Sequence, residues 1–134
     1  MEHLTGRHNA IVKRFREAAR EGRIGDTVLL DGPHLLDEAI GSRVELELVA
    51  FSDSVVDRHR TLVAATVRSG ARVVTMTEAL LDALSPVRQA TGILALARLK
   101  AVDLEQAIAT NPPQLILFLE SVLHHTEAVH HEQA

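Results

Sequence analysis

The sequence holds no cysteine, no tryptophan and no tyrosine, and only three phenylalanines among its 134 residues. Without cysteine there are no disulfides, no thiolate nucleophile and no Cys-ligated metal. Without Trp and Tyr, the chain lacks the aromatic platforms on which single-stranded nucleic-acid binders usually stack bases. No apolar run approaches the ~20 residues that span a bilayer. The opening Met1-Glu2-His3-Leu4-Thr5-Gly6-Arg7 has no apolar core of a signal peptide, so a cytoplasmic location is the simplest expectation. Also missing are a Gly-x-Ser-x-Gly turn, a Gly-rich phosphate loop and a His-Glu-x-x-His pair. Asp37-Glu38 and Asp53 with Asp57 are paired acids, but ordinary helix-surface spacing accounts for both.

What is present is the balance of a soluble globular chain, 46% apolar and 24% charged. The length suits one domain with a real core. Net charge is −4, unevenly spread: +3 over residues 1–25, −2 over 26–100 and −5 over 101–134. The N-terminal segment is therefore the first place to look for a polyanion partner.

The pattern turns on Val28–Ile40. Val28, Leu29 and Leu30 form a continuous apolar run, as in a strand covered on both faces. Gly32 permits a tight turn, and Pro33 suits the first helical position, where a missing N–H costs nothing. Leu35, Leu36, Ala39 and Ile40 then mark one face of a helix. The turn before this helix is either a plain connection or an anion site, since a helix N-terminus offers free N–H groups. His34, in the first turn, can meet a phosphate or ribose, or serve the surface alone.

Residues 8–22 read as an amphipathic helix with an apolar stripe at Ile11, Val12, Phe15, Ala18 and Ala19. Arg7, Lys13, Arg14, Arg16, Arg20 and Arg23 cover much of the rest, and Lys13, Arg16 and Arg20 share one face by their three- and four-residue spacing. That face either binds phosphates or is a solvated surface partly paired with Glu17 and Glu21. Further strands are expected at Leu46–Phe51, Val73–Met76 and Gly92–Ala97. Helices are expected at about 55–69 and from Thr77-Glu78 through Leu84, the latter stopped by Ser85-Pro86. Alternating strands and helices predict an α/β sandwich around a largely parallel sheet. A helix over Val102–Ala109, a linker at Asn111-Pro112-Pro113 and a strand over Leu115–Leu119 follow. The last residues, 123–134, carry half of the eight histidines as two His-His pairs. His pairs suit zinc or nickel, but no second shell converges on them, and a disordered or non-native tail is the simpler expectation.

Residue pattern alone thus reaches a small α/β domain with a basic N-terminal helix. Three partners stay open: RNA at that helix, a small regulatory ligand at the Asp31-Gly32 strand end, or a protein edge pairing with Leu115–Leu119.

Several segments together resemble a known family. They are Asn9-Ala10-Ile11-Val12-Lys13, Leu30-Asp31-Gly32-Pro33-His34-Leu35-Leu36-Asp37-Glu38-Ala39, Val49-Ala50-Phe51 and Leu84-Ser85-Pro86-Val87-Arg88 leading into Thr91-Gly92-Ile93. In these the chain resembles the N-terminal substrate-binding domain of the SpoU (TrmH-like) RNA 2′-O-ribose methyltransferases over about residues 5–120. The resemblance implies an L30e-like three-layer α/β/α sandwich over residues 1–100 that grips structured RNA, ribosomal RNA being the better expectation. It implies a linker and the first strand of a SPOUT methyltransferase domain over 101–122. That further domain would bind S-adenosylmethionine and form a homodimer. Its catalytic residues and cofactor pocket are not expected in this sequence, so the chain alone is expected to be inactive. No metal is expected. The residues expected to touch RNA are Arg7, Asn9, Lys13, Arg14, Arg16, Arg20, Gly32, Pro33, His34 and Arg88, with the Gly32-Pro33-His34 turn lying beside the basic helix.

Overall fold

The computed structural model describes residues 1–21, 23–85 and 90–99. In chain order the elements are β1 (Glu2–Leu4), α1 (Ala10–Glu21), β2 (Arg23–Ile24), β3 (Thr27–Asp31), α2 (Pro33–Gly41) and β4 (Glu45–Ser52). Then come α3 (Asp53–Arg58), α4 (Arg60–Arg68), β5 (Arg72–Met76), α5 (Glu78–Leu84) and β6 (Ile93–Arg98). The expected helix over 102–109, the strand over 115–119, the His-rich segment and Arg88 all lie outside the described residues.

The strands form one sheet in the order β1-β5-β4-β6-β3-β2. β1, β3, β4 and β5 run one way, and β6 and β2 run the other. The sheet is mixed, which corrects the largely parallel arrangement expected from the alternating pattern. The cause lies at β6. It starts at the sheet end where β4 and β5 finish, with Ile93 opposite Phe51 and Ser52 opposite Met76. Ser85, just past α5, already donates to Asp31 at the C-terminal end of β3, and β6 enters the sheet there, with Leu94 opposite Asp31, so it runs back antiparallel. Ile93–Ala97 is buried throughout. A run that is apolar on both faces carries no sign of its direction.

Both faces of the sheet are covered by helices. Along β3, Val28 and Leu30 join one core with Leu35, Leu36 and Ala39 of α2, Val55 of α3 and Val63 of α4. Leu29 points the other way, into a core with Phe15 of α1 and Leu81 of α5. This two-sided burial is why the strand reads as an unbroken apolar run. All five apolar positions of the α1 stripe are buried, as the spacing predicts. Each fully buried Leu, Val or Phe of this kind stabilises the fold by roughly 1.5–3 kcal/mol.

Three details depart from the sequence pattern. β1 and β2, of three and two residues, are edge strands too short to show a period. The single helix expected over 55–69 is two helices, broken at His59 (φ −121°, ψ 42°). In an unbroken helix Val55 and Val63 would sit roughly 80° apart around the axis. With the break, both reach the same core. The third is a bulge in β4: Leu46 pairs with Ala97 and Leu48 with Leu96, leaving Glu47 as the extra residue. The pleat is displaced by one, so Leu46 enters one core and Leu48 the other. Among the described residues no helix is long and apolar enough to cross a membrane.

Candidate nucleic-acid interface

Register places the functional residues at one end of the sheet. Leu4 lies opposite Met76, Met76 opposite Ser52, Phe51 opposite Ile93, and Leu94 opposite Asp31. The C-terminal ends of β1, β3, β4 and β5 therefore line up, and α1, α2, α3 and α5 each start just beyond them. The two parts of the expected site share this end but not a face. α2 packs against the side bearing Val28 and Leu30, and α1 against the side bearing Leu29. The Gly32-Pro33-His34 turn is thus not beside the basic helix, because the sheet lies between them. Sequence spacing cannot show on which side of a sheet each helix packs.

On the α1 side, the basic residues divide by what they touch. Asn9 starts the helix: its Oδ1 accepts the Ile11 N–H at 2.8 Å, and its carbonyl accepts the Lys13 N–H at 3.0 Å. Arg14 is committed to Glu47. Its Nε and Nη2 donate to Glu47 Oε2 and Oε1 at 2.5 and 2.8 Å, and Arg98 Nη2 donates to the same Oε1 at 3.0 Å. The β4 bulge puts Glu47 where it meets α1, so a backbone irregularity aims this carboxylate. The Arg14 hydrogen bond holds the Glu47 carboxyl below its ordinary value, against the opposing effect of burial. Glu47 in turn raises Arg14.

Lys13, Arg16 and Arg20 remain exposed on a different side of α1. Arg20 lies 3.9 Å from Glu21, and Arg16 Nη2 donates to the Arg7 carbonyl at 3.4 Å. Arg7 and Arg16 border a cleft of about 590 Å³ between the start of α1 and the length of α5. Thr5, His8, Thr77, Ala79, Leu80, Ala83 and Leu84 complete its lining, and no acid is among them. His8 and Thr77 are the residues sequence reasoning missed. Nothing along the chain connects them; the parallel pairing of β1 with β5 brings their segments together.

On the opposite face, Gly32 adopts φ 117°, a conformation that disfavours side chains, and its N–H donates to the Ile93 carbonyl at 3.1 Å. Asp31 just before it is buried, accepting hydrogen bonds from the hydroxyls of Ser85 and Thr91, the latter at 3.0 Å. The Asp31-Gly32 strand end is therefore closed by side chains from the α5–β6 connection. His34 is exposed, with Nε2 3.0 Å from Glu38 Oε1. Pro33 and His34 line a second cleft of about 540 Å³ with Arg58, His59 and Arg60 at the helix break. Here Asp37 and Asp57 offset the two arginines, and Arg60 lies 3.7 Å from Asp57. Between these two clefts, the α1–α5 cleft is the one whose lining carries arginines without an acid.

No protein-family model matches the sequence, and no curated protein matches it. Solved structures do. An rRNA methyltransferase from Sinorhizobium meliloti superposes with a TM-score of 0.61 at 15% identity, over 74% of this chain and 37% of that one. The AdoMet-bound form of an rRNA methyltransferase from the same organism matches with a TM-score of 0.60, and an RNA 2′-O ribose methyltransferase with 0.60 at 20% identity. This chain shares the fold of part of these RNA methyltransferases. It spans 37–38% of the length of the structures it matches. At the level of fold, the resemblance seen in the sequence segments holds.

Proposed function

We propose that this chain is the RNA-recognition part of a SpoU-type (TrmH-like) RNA 2′-O-ribose methyltransferase, built as an L30e-like three-layer sandwich and directed at ribosomal RNA. The observation that carries this reading is an acid-free cleft bordered by Arg7 and Arg16, on a fold shared with RNA methyltransferases. Folded RNA is recognised largely through phosphates, 2′-hydroxyls and shape, for which base-stacking aromatics are not required. Lys13, Arg16 and Arg20 on one exposed side of α1 provide phosphate contacts, and the cleft continues that surface to the end of the sheet. In the whole protein such a domain holds one ribose in reach of the methyl donor, an effect of proximity and orientation. That donor, S-adenosylmethionine, and the homodimer contact are assigned to the separate methyltransferase domain of such a protein. Arg14 and Asn9, engaged within the fold, are left out of the contact set.

The test is a titration of the chain with ribosomal RNA fragments and transfer RNA at two salt concentrations, with sedimentation on the same samples. Salt-dependent binding that is tighter for the ribosomal fragments supports the proposal. Absence of binding overturns it, as does self-association on which RNA has no effect.

A further inference from the structure

The α1–α5 cleft has a chemistry that phosphate binding alone does not use. Its rim is cationic, with Arg7 and Arg16 and with His8 beside them. Its floor is aliphatic: Leu80 and Leu84 are buried, and Ala79 and Ala83 stand exposed one helical turn apart on α5. Small side chains at these two positions keep the space open. Thr77 Oγ1 accepts the Leu80 N–H at 3.3 Å, which leaves its hydroxyl hydrogen available to donate. Arg16 Nη2 reaches the Arg7 carbonyl at 3.4 Å, which brings its guanidinium to the rim beside Arg7. An inorganic anion would use the rim and leave the floor bare. A paired RNA helix presents phosphates on a convex surface and keeps its base faces stacked inside. The ligand that matches rim and floor together is flat, partly apolar and tethered to a phosphate.

We propose that this cleft receives one unpaired nucleotide of the RNA, its phosphate against Arg7 and Arg16 and its base over Ala79, Ala83 and the leucine floor. The inference rests on the RNA-binding reading above and adds which part of the RNA is gripped. With no Trp or Tyr in the chain, the base stacks on aliphatic surface and on a guanidinium plane. Lys13 and Arg20, outside the cleft, follow the backbone of the adjoining paired stem.

The experiment compares two RNAs, a short stem closed by an unpaired loop and the same stem as a blunt duplex, on the wild-type chain and three variants. Ala83→Leu and Ala79→Leu fill the floor without changing charge, and Leu is well tolerated on an exposed helix face. Arg16→Gln removes a rim charge. The wild type is expected to bind the looped RNA about tenfold more tightly than the duplex, the scale of one stacked base. Either filling variant should erase that preference and leave duplex affinity unchanged, while Arg16→Gln weakens both RNAs. Thermal unfolding followed by circular dichroism confirms that each variant is folded, and two filling positions guard against the loss of one. Equal wild-type affinity for the two RNAs, or filling variants that retain the preference, overturns this inference and leaves the RNA-binding reading standing. No binding of either RNA overturns both.

Discussion

Replacing Glu47 with Gln should expose which α1 cation belongs to the fold. Gln keeps the size of the side chain but removes the charge that Arg14 and Arg98 share. Three charge-assisted hydrogen bonds converge on that carboxylate, at 2.5, 2.8 and 3.0 Å. Fully buried, bonds to a charged group are worth about 1.5–3 kcal/mol each, whereas exposed ion pairs contribute about 0.2–1 kcal/mol. The Glu47 side chain is 20% exposed and those of Arg14 and Arg98 are 37% and 40% exposed, so the network lies nearer the lower range. A loss of about 1–2 kcal/mol is expected for Glu47→Gln, a fall in Tm of about 4–8 °C for each kcal/mol in a domain of this size. The pH dependence has a definite sign. Hydrogen bonding by Arg14 holds the folded-state carboxyl below its ordinary value of 4.5. Its stabilisation is therefore complete at pH 7 and is lost as pH falls below 4.5 through the lowered folded value. Urea unfolding of wild type and variant at neutral and acid pH should show a gap that closes on the acid side. A double-mutant cycle with Arg14→Gln should return a favourable coupling energy smaller than the Glu47→Gln loss, because Arg98 keeps its bond to Glu47 when Arg14 is replaced. Arg14→Gln should also leave the salt dependence of RNA binding nearly unchanged. A gap of equal size at both pH values, or no gap at neutral pH, would refute the assignment of Arg14 to the fold.

Three further outcomes follow from the same geometry. Gly92→Ala should destabilise by about 2–4 kcal/mol in urea unfolding: φ is 83°, and an added Cβ would lie 2.5 Å from Val55 Cγ2 and 2.7 Å from Ser52 Oγ. Asp31→Ala should cost about 2–3 kcal/mol by the same measurement, because the Ser85 and Thr91 hydroxyls lose their buried acceptor; a silent substitution would mean that the turn is held by backbone alone. Neutralising Lys13, Arg16 and Arg20 together should weaken RNA binding at every sequence and lower the log–log salt slope by about 3, and an unchanged slope would identify this side of α1 as a solvated surface.

Much of this fold is legible along the chain because its elements bury continuous or regularly spaced apolar residues. The α1 stripe from Ile11 to Ala19, the Val28–Leu30 strand, the Pro33 helix start and the Thr77 cap each follow from local rules. The site is less legible. Arg14 and Arg16 are two residues apart on one helix and look alike in the sequence, yet a bulge at Glu47, in a strand 33 residues away, claims the first and leaves the second exposed.

By itself, the sequence determined the order of strands and helices, the apolar faces they bury and the cationic character of α1, since each is set by residues within a few positions of one another. Only the tertiary structure decided the direction of β6, the opposite faces taken by the basic helix and the Gly32 turn, and the cleft that joins Arg7, His8 and Arg16 to α5. Those depend on strand pairing between residues far apart in the chain, such as Leu4 with Met76, and a fully apolar strand or an exposed arginine carries no local mark of the partner it will meet.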